Sequence, residues 1–592
     1  MSVFRVWAPD AERVDVEIAG TPHEMRPVTG NAATGQAGWW EAEVDAPPEA
    51  DYAFRVAGGP ALPDPRSPRQ PAGPARPSRT IPPHAGFRWT DGGWRGTPLP
   101  GAVIYELHVG TFTPEGTLDA AIGKLAHLTA LGVTVVELMP LAAFPGQHGW
   151  GYDGTCLWAV HEPYGGPAAL KRFVDACHRH HLAVVLDVVY NHLGPGNRLA
   201  DFGPYFTTTY TTPWGPAVNL DQAGSDEVRA FCVENALSWL RDYHVDGLRL
   251  DAVHALEDHR AVHFLEELAT EVDALAAATG RSIVLIAESE LNDPRLITAR
   301  QAGGYGLAGQ WNDDFHHAVH AAVTGERQGY YADFGSLAAL AKTLTSAYFH
   351  DGGWSSFRGR SHGRPVDRER TPAYRFVGFL QDHDQVGNRA TGDRIAASLS
   401  PGMLRVAAGI VLTAPFTPML FMGEEWGADT PFQFFTDHTD PYFAEAVSTG
   451  RRAEFARHGW ARQDVPDPQN PQTYLRSKLD WTQPSREPYA STLEWYRQLI
   501  ALRRANPEIT DPRLDRARVD YDEDGRWLLI HRGALRIAAN LADVPARIPL
   551  CPGAIAPALL LASAPEVTAR PDAIVMPAAS FAVASIGCPG DG

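Results

Sequence analysis

"VDGLRLDAVHAL", residues 245–256, is a short β-type run that ends on charge. Along a strand, side chains alternate between faces, so Leu248 and Leu250 share one face while Arg249 and Asp251 share the other. Immediately before it, "SDEVRAFCVENALSWLRDYH" (225–244) repeats apolar residues at three and four, the spacing of a helix. A helix feeding a short strand that stops at polar residues is one unit of a helix-covered parallel sheet. The unit recurs. Strand-like runs lie at VIYELHVGTF (103–112), VTVVELMP (133–140), AVVLDVVYNH (183–192), GLRLDAVH (247–254), IVLIAES (283–289), LAGQWNDDF (307–315), RFVGFLQDHD (375–384) and PMLFMGEEW (418–426). Eight such strands predict an α/β fold, a (β/α)8 TIM barrel, over residues 91–507.

Outward from the barrel the texture changes. Residues 1–90 alternate short β runs ("FRVWAP", "RVDVEIAG", "DYAFRVAG") with Gly- and Pro-rich turns, which predicts an N-terminal β-sandwich. The stretch 63–84 is so rich in proline that it reads as an extended surface linker. From 508 to 592 short β runs return and predict a C-terminal β-sandwich. Within the barrel, a loop subdomain around 192–221 and a second excursion at 326–373 are long enough to be functional.

With 592 residues, 44% of them apolar, the chain has material for several cores. Its formal charge of −19, with no basic run to offset it, excludes a binder that works by neutralising phosphates, so no nucleic-acid partner is expected. No span of eighteen apolar residues and no basic-then-apolar leader is present, which predicts a soluble cytoplasmic protein without a membrane partner. The five cysteines are scattered and lack a CxxC pair, so neither a disulfide framework nor a zinc site is indicated.

In a barrel of this kind the site forms at the carboxyl ends of the strands. Asp187 and His192 end the third run, Arg249, Asp251 and His254 the fourth, Glu288 the fifth, and His383 with Asp384 the seventh. A single acid there often only caps a helix. Glu288, however, closes a wholly apolar run, where its ionised form is disfavoured and the carboxyl suits a general acid. Asp251 has Arg249 on its own face, which favours the carboxylate. One protonated and one ionised carboxyl on adjacent strands is what glycoside hydrolysis uses: the first protonates the leaving oxygen and the second attacks the anomeric carbon. Strands spaced about 4.8 Å apart suit the roughly 5–5.5 Å carboxyl separation of retaining enzymes. The histidines lie on separate strand ends, so no metal and no cofactor is expected. Tyr152 in "HGWGYDG" and Trp214 in "TPWGPAVNLD" lie among Gly and Pro; for Tyr152 this favours a ring that stacks on a sugar, while Trp214 fits that role and a core position equally.

"DVVYNH" (187–192), "GLRLDAVH" (247–254), "IAES" (286–289) and "FLQDHDQVGN" (379–388) resemble, in order, the four signature regions of the α-amylase family of glycoside hydrolases. The resemblance implies Asp251 as nucleophile, Glu288 as acid/base and Asp384 as transition-state stabiliser. It implies Tyr152, Asp187, His192, Arg249, His254 and His383 as substrate-binding residues, and Trp214 and Arg389 are placed with them. Asp382 stands where many relatives carry asparagine, an added negative charge beside Asp384. "FRVWAPDAERVDVEI" (4–18) resembles the sandwich that precedes the barrel in branching enzymes, isoamylases and trehalohydrolases. "HGWGYDG", "LFMGEEWG", "FQFFTDH" and "GRRAEF" point to the trehalohydrolase branch. That branch implies maltooligosyl trehalose as substrate, trehalose as product and a synthase of that substrate as pathway partner. The four motifs alone do not separate hydrolysis from transfer, so a branching or isoamylase-type activity stays open, as does a glycan-binding protein without turnover.

Overall fold

The computed structural model describes residues 2–28, 35, 37–81, 86–456, 464–551 and 555–587. Eight strands form a closed barrel: β1 (Ile104–Leu107), β2 (Val135–Leu138), β3 (Ala183–Val188), β4 (Gly247–Leu250), β5 (Val284–Ala287), β6 (Gly309–Trp311), β7 (Phe376–Phe379) and β8 (Thr417–Phe421). Each pairs in parallel with its neighbours in sequence, and β8 returns to β1. All eight runs of the sequence are therefore barrel strands.

Both faces of the strands are buried, which is why the runs are almost continuously apolar. Ile104, Val135, Val185, Ile286, Val377 and Met419 form a cluster of their own in the barrel interior. The alternate residues Tyr105, Val136, Val184, Leu248, Leu285 and Phe376 join the larger core under the helices. The two-residue period of the inner row, continued toward the strand ends, reaches Glu106, Glu137, Asp187 and Glu288. Polar chemistry thus replaces apolar filling one layer up. Register aligns the layer: Glu106 is the cross-strand partner of Glu137, and Asp187 of Arg249. Gly247 opens β4 because a Cβ there would come within 2.5 Å of the Val284 carbonyl oxygen.

The 192–221 segment carries a hairpin, Phe206–Thr212 with Gly215–Val218. The 326–373 excursion holds a helix, Leu337–Ser346, and a two-residue hairpin, Trp354–Ser355 with Arg360–Ser361. N-terminal to the barrel are a three-stranded and a four-stranded sheet, and strands of a five-stranded and a three-stranded sheet begin at Arg518. The N-terminal region packs on the 192–221 segment, where Trp7 meets Tyr205 edge-on at 5.4 Å, and on neighbouring parts of the barrel domain, where Arg66 lies over the rings of Trp39 and Trp158 and pairs with Glu234 of the helix Ser225–Asp242.

The Pro-rich stretch departs from its reading as a surface linker. Ser78–Arg79 pairs with the strand Asp51–Val56, Leu62 bridges Phe54, and Asp64, Ser67 and Ser78 are buried. The Tyr52 hydroxyl donates to Asp64 at 2.7 Å. Proline stiffens this segment, while its interspersed polar side chains satisfy it against the sheet. Cys156, Cys177 and Cys232 are buried free thiols; Cys551 is disulfide-bonded, which the scatter of cysteines did not indicate. Among the described residues, no helix is long and apolar enough to cross a membrane, and no group of three His, Cys, Asp or Glu is placed to hold a metal ion.

Candidate active site

The site is built around Arg249, whose side chain is fully buried at the end of β4. Its Nη1 donates to both oxygens of Asp187, at 3.0 and 2.8 Å, and to Oδ1 of Asp251 at 2.9 Å. Its Nη2 lies 3.7 Å from Oε2 of Glu288, and its guanidinium sits 4.4 Å from the Trp311 ring. One buried cation therefore ties three carboxyls together. Asp251 and Glu288 are also joined through the backbone: Ala252 turns into the left-handed region (φ 38°), and its N–H donates to Oε2 of Glu288 at 2.5 Å. A non-glycine residue there costs about 1 kcal/mol or more. The turn is held because the Asp251 amide donates to Val188 and the Val253 amide to the Glu288 carbonyl.

Burial raises the carboxyl of Glu288 above its ordinary range; Arg249 opposes the shift, while Asp251 and Asp384 add to it. Burial likewise pushes Asp187 up to about 7 against the pull of Arg249. The acid expected to donate a proton thus sits in surroundings that favour its protonated form, and it shares that property with Asp187 beneath it.

A second chain of contacts starts under β1. Glu106 accepts from the backbone N–H of His383 at 3.0 Å and from its Nδ1 at 2.5 Å. Burial disfavours the imidazolium, but Asp384 and Glu106 outweigh it and raise His383 to about 10. Its Nε2 lies 2.8 Å from the Tyr152 hydroxyl, which donates to Asp187 at 2.6 Å. Glu106, His383, Tyr152, Asp187, Arg249 and Asp251 form one connected network.

Asp384 lies on the short helix His383–Gly387, capped by Asp382, which accepts from the Gln385 amide at 2.8 Å. Asp382 is buried, and that burial, with Glu106 and Asp384 close by, pushes its carboxyl well up toward the neutral acid. The Asn388 side chain donates to Asp384 Oδ1 at 3.1 Å. Arg451 fixes that segment by donating to the Gly387 carbonyl at 2.6 Å and to the Asn388 amide oxygen at 3.2 Å.

Asp251, Glu288 and Asp384 line one cleft of about 460 Å³ with Tyr152, His192, Trp214, His254 and His383. Trp214, 48% exposed, stacks on His192 at 4.5 Å, and His192 donates to the Tyr152 carbonyl at 3.0 Å. Asp187 and Arg249 lie one layer beneath. Arg389 is not among the lining residues: its guanidinium is engaged by both oxygens of Glu326, each at 3.0 Å, and by Asp393 at 2.8 Å. The opposite wall, formed by loops after β5 and β6, bears Glu290, Asp313, Phe357 and Arg358, with Arg358 donating to Glu290 at 2.8 Å. Sequence reasoning singled out none of these four, nor Glu106, Trp311, Asn388 or Arg451. For Glu106 one signal was available, an acid inside an apolar run with the parity of the inward face.

Residues 84–201 match the model of the alpha amylase catalytic domain, and 512–583 match a domain of unknown function, DUF3459. The chain is 57% identical over 550 residues to a malto-oligosyltrehalose trehalohydrolase of Arthrobacter ramosus, covering 92% of this chain and 94% of that protein. It is 53% identical to one from Rhizobium sp. (strain M-11), covering 98% and 97%. A 1,4-alpha-glucan branching enzyme of Xanthomonas euvesicatoria is 31% identical over 53% of this chain and 47% of its own length. Among solved structures, a provisionally named alpha amylase from Salmonella typhimurium superposes with a TM-score of 0.89 at 38% identity, covering 99% and 97% of the two chains.

Proposed function

The chain belongs to the malto-oligosyltrehalose trehalohydrolase family, within the α-amylase glycoside hydrolases, and we propose that it cleaves the α-1,4 bond next to the terminal trehalose of maltooligosyl trehalose with retention of configuration. The observation that carries the chemistry is the single guanidinium of Arg249 against Asp187, Asp251 and Glu288. It keeps Asp251 beside a fixed positive charge while Glu288 stays in surroundings that favour its protonated form.

In the first step Asp251 attacks C1 of the maltooligosyl unit as Glu288 protonates the bridging oxygen, and trehalose departs. A glycosyl ester to Asp251 is left. In the second step Glu288, now a carboxylate, takes a proton from water that attacks the same carbon and releases the maltooligosaccharide. Asp384 and the imidazolium of His383 face the sugar whose ring distorts in the transition state, and Tyr152, His192, His254 and Trp214 bind around it. Glu288 must reach the oxygen between the two halves of the substrate, so trehalose lies on its side of the cleft, toward Glu290 and Arg358.

A substrate that carries trehalose at its end requires an enzyme to make it, and in this reading a maltooligosyltrehalose synthase supplies it for trehalose formation. A cytoplasmic setting belongs to the same proposal; the buried free thiols of Cys156, Cys177 and Cys232 favour it, and the disulfide at Cys551 counts against it. Product analysis tests the activity. Incubation with maltooligosyl trehalose should yield trehalose, whereas amylose should keep its iodine spectrum and glycogen should release no linear chains. Branching of amylose or debranching of glycogen, without trehalose release, would overturn the assignment.

A further inference from the structure

A second depression of about 860 Å³ opens next to the catalytic cleft, and nothing in the mechanism above uses it. Three parts of the chain wall it: the N-terminal segment 70–76, the loops 143–147 and 161–163 that flank the hairpin after β2, and residues 438–443 after β8. Only two short loops divide it from the cleft. Tyr152 and His192 face the cleft, while Thr155 and Pro195, three residues further on in each loop, face the groove. At the crest, Asp153 meets His438 at 3.5 Å.

The direction of the substrate brings the two depressions into one path. With trehalose on the Glu288 side, the maltooligosyl chain leaves the cleft past Tyr152 and His192, which is toward this groove. The cleft, at about 460 Å³, is the smaller of the two, so a long glucan continues beyond it. What it meets there suits a polyhydroxylated chain. Phe144 lies flat on His161 at 3.7 Å and backs the wall, several prolines offer flat apolar faces, and Phe443 presents a ring that is 36% exposed. Glu162, Gln147 and Asp440 interleave these with hydrogen-bonding groups. Burial pushes His161 down to about 4, so this stack adds no charge near neutrality. The N-terminal wall is fixed in place by Arg69, which donates to Glu162 at 2.6 Å. Pre-organised mixed surfaces of this volume are typical of small-ligand sites.

We propose that this groove forms distal glycone subsites for the α-1,4-glucan tail, so that the N-terminal segment takes part in binding long substrates. The inference rests on the trehalohydrolase reading. The test is kcat/KM for trehalose release across a series from maltosyl trehalose to maltoheptaosyl trehalose, for the wild type, Phe443→Ala and Arg76→Ala, the two variants altering opposite walls. The wild type should gain efficiency as the chain lengthens past the cleft. Each variant, with its thermal unfolding unchanged, should lose about 2- to 10-fold on the longest substrates, the scale of one lost ring contact for Phe443 or one lost hydrogen bond for Arg76, and keep its rate on the shortest. An efficiency independent of length in the wild type, or folded variants that both retain the full gain, would overturn the groove while leaving the activity standing. Absence of trehalose release from every member would instead overturn the activity itself.

Discussion

At the scale of single residues, the fate of each carboxyl follows from what shares its surroundings. Glu288 has burial and two acidic neighbours raising it, against the Arg249 guanidinium and His254. Its acid form serves the first step, so kcat/KM should fall as pH rises through a value above the usual glutamate range. A limb at the ordinary glutamate value would contradict this. Glu288→Gln and Asp251→Ala should each lower turnover by about 10³-fold or more without changing the unfolding midpoint, since each removes a separate part of transition-state stabilisation. Substantial residual activity in either would refute its role. His383 is raised above its unfolded value, to about 10, by Asp384 and Glu106 despite burial. The stability this contributes is fully present below about pH 6.5 and is lost as pH rises through about 10. Chemical denaturation across that window should show the loss, and Glu106→Gln should flatten it; an equal slope in both proteins would contradict the pairing.

At the scale of elements, the strands were legible and their lateral supports were not. Apolar runs ending on Asp, Arg or Glu mark barrel strands because the inner row changes from filling to chemistry at one height. That rule does not show which way a side chain beyond the strand end turns. Arg389 follows Asp384 by five residues, yet Glu326 and Asp393 take its guanidinium away from the cleft. The partnership of Asn388 with Arg451 joins residues 63 apart, and no local pattern could disclose it. Because Arg451 steadies the segment whose amide holds Asp384, Arg451→Met should reduce kcat about 10-fold with little change in KM, consistent with loss of positioning at a group used mainly in the transition state. A rise in KM alone would assign Arg451 to ground-state binding instead.

At the scale of the whole molecule, the proposed handling of the substrate involves what surrounds the barrel. The stretch 63–84 looked like a linker because proline content reports chain stiffness but not whether the polar residues between the prolines find partners, as Asp64 and Ser78 do. The N-terminal sheets brace the segment that carries Trp214 through Trp7 on Tyr205, and the helix that follows it through Arg66 against Glu234. Trp7 is buried, so Trp7→Ala should cost about 3–5 kcal/mol of stability and raise KM by loosening that brace. An unfolding midpoint that drops with KM unchanged would show that the two regions are independent. The central claim, cleavage at the trehalose junction through an ester to Asp251, is tested most directly by following one turnover in ¹⁸O-labelled water with NMR and mass spectrometry. The account predicts unlabelled trehalose and a maltooligosaccharide released as the α-anomer with the label at its reducing carbon; a β-anomer, or label in the trehalose, would contradict it.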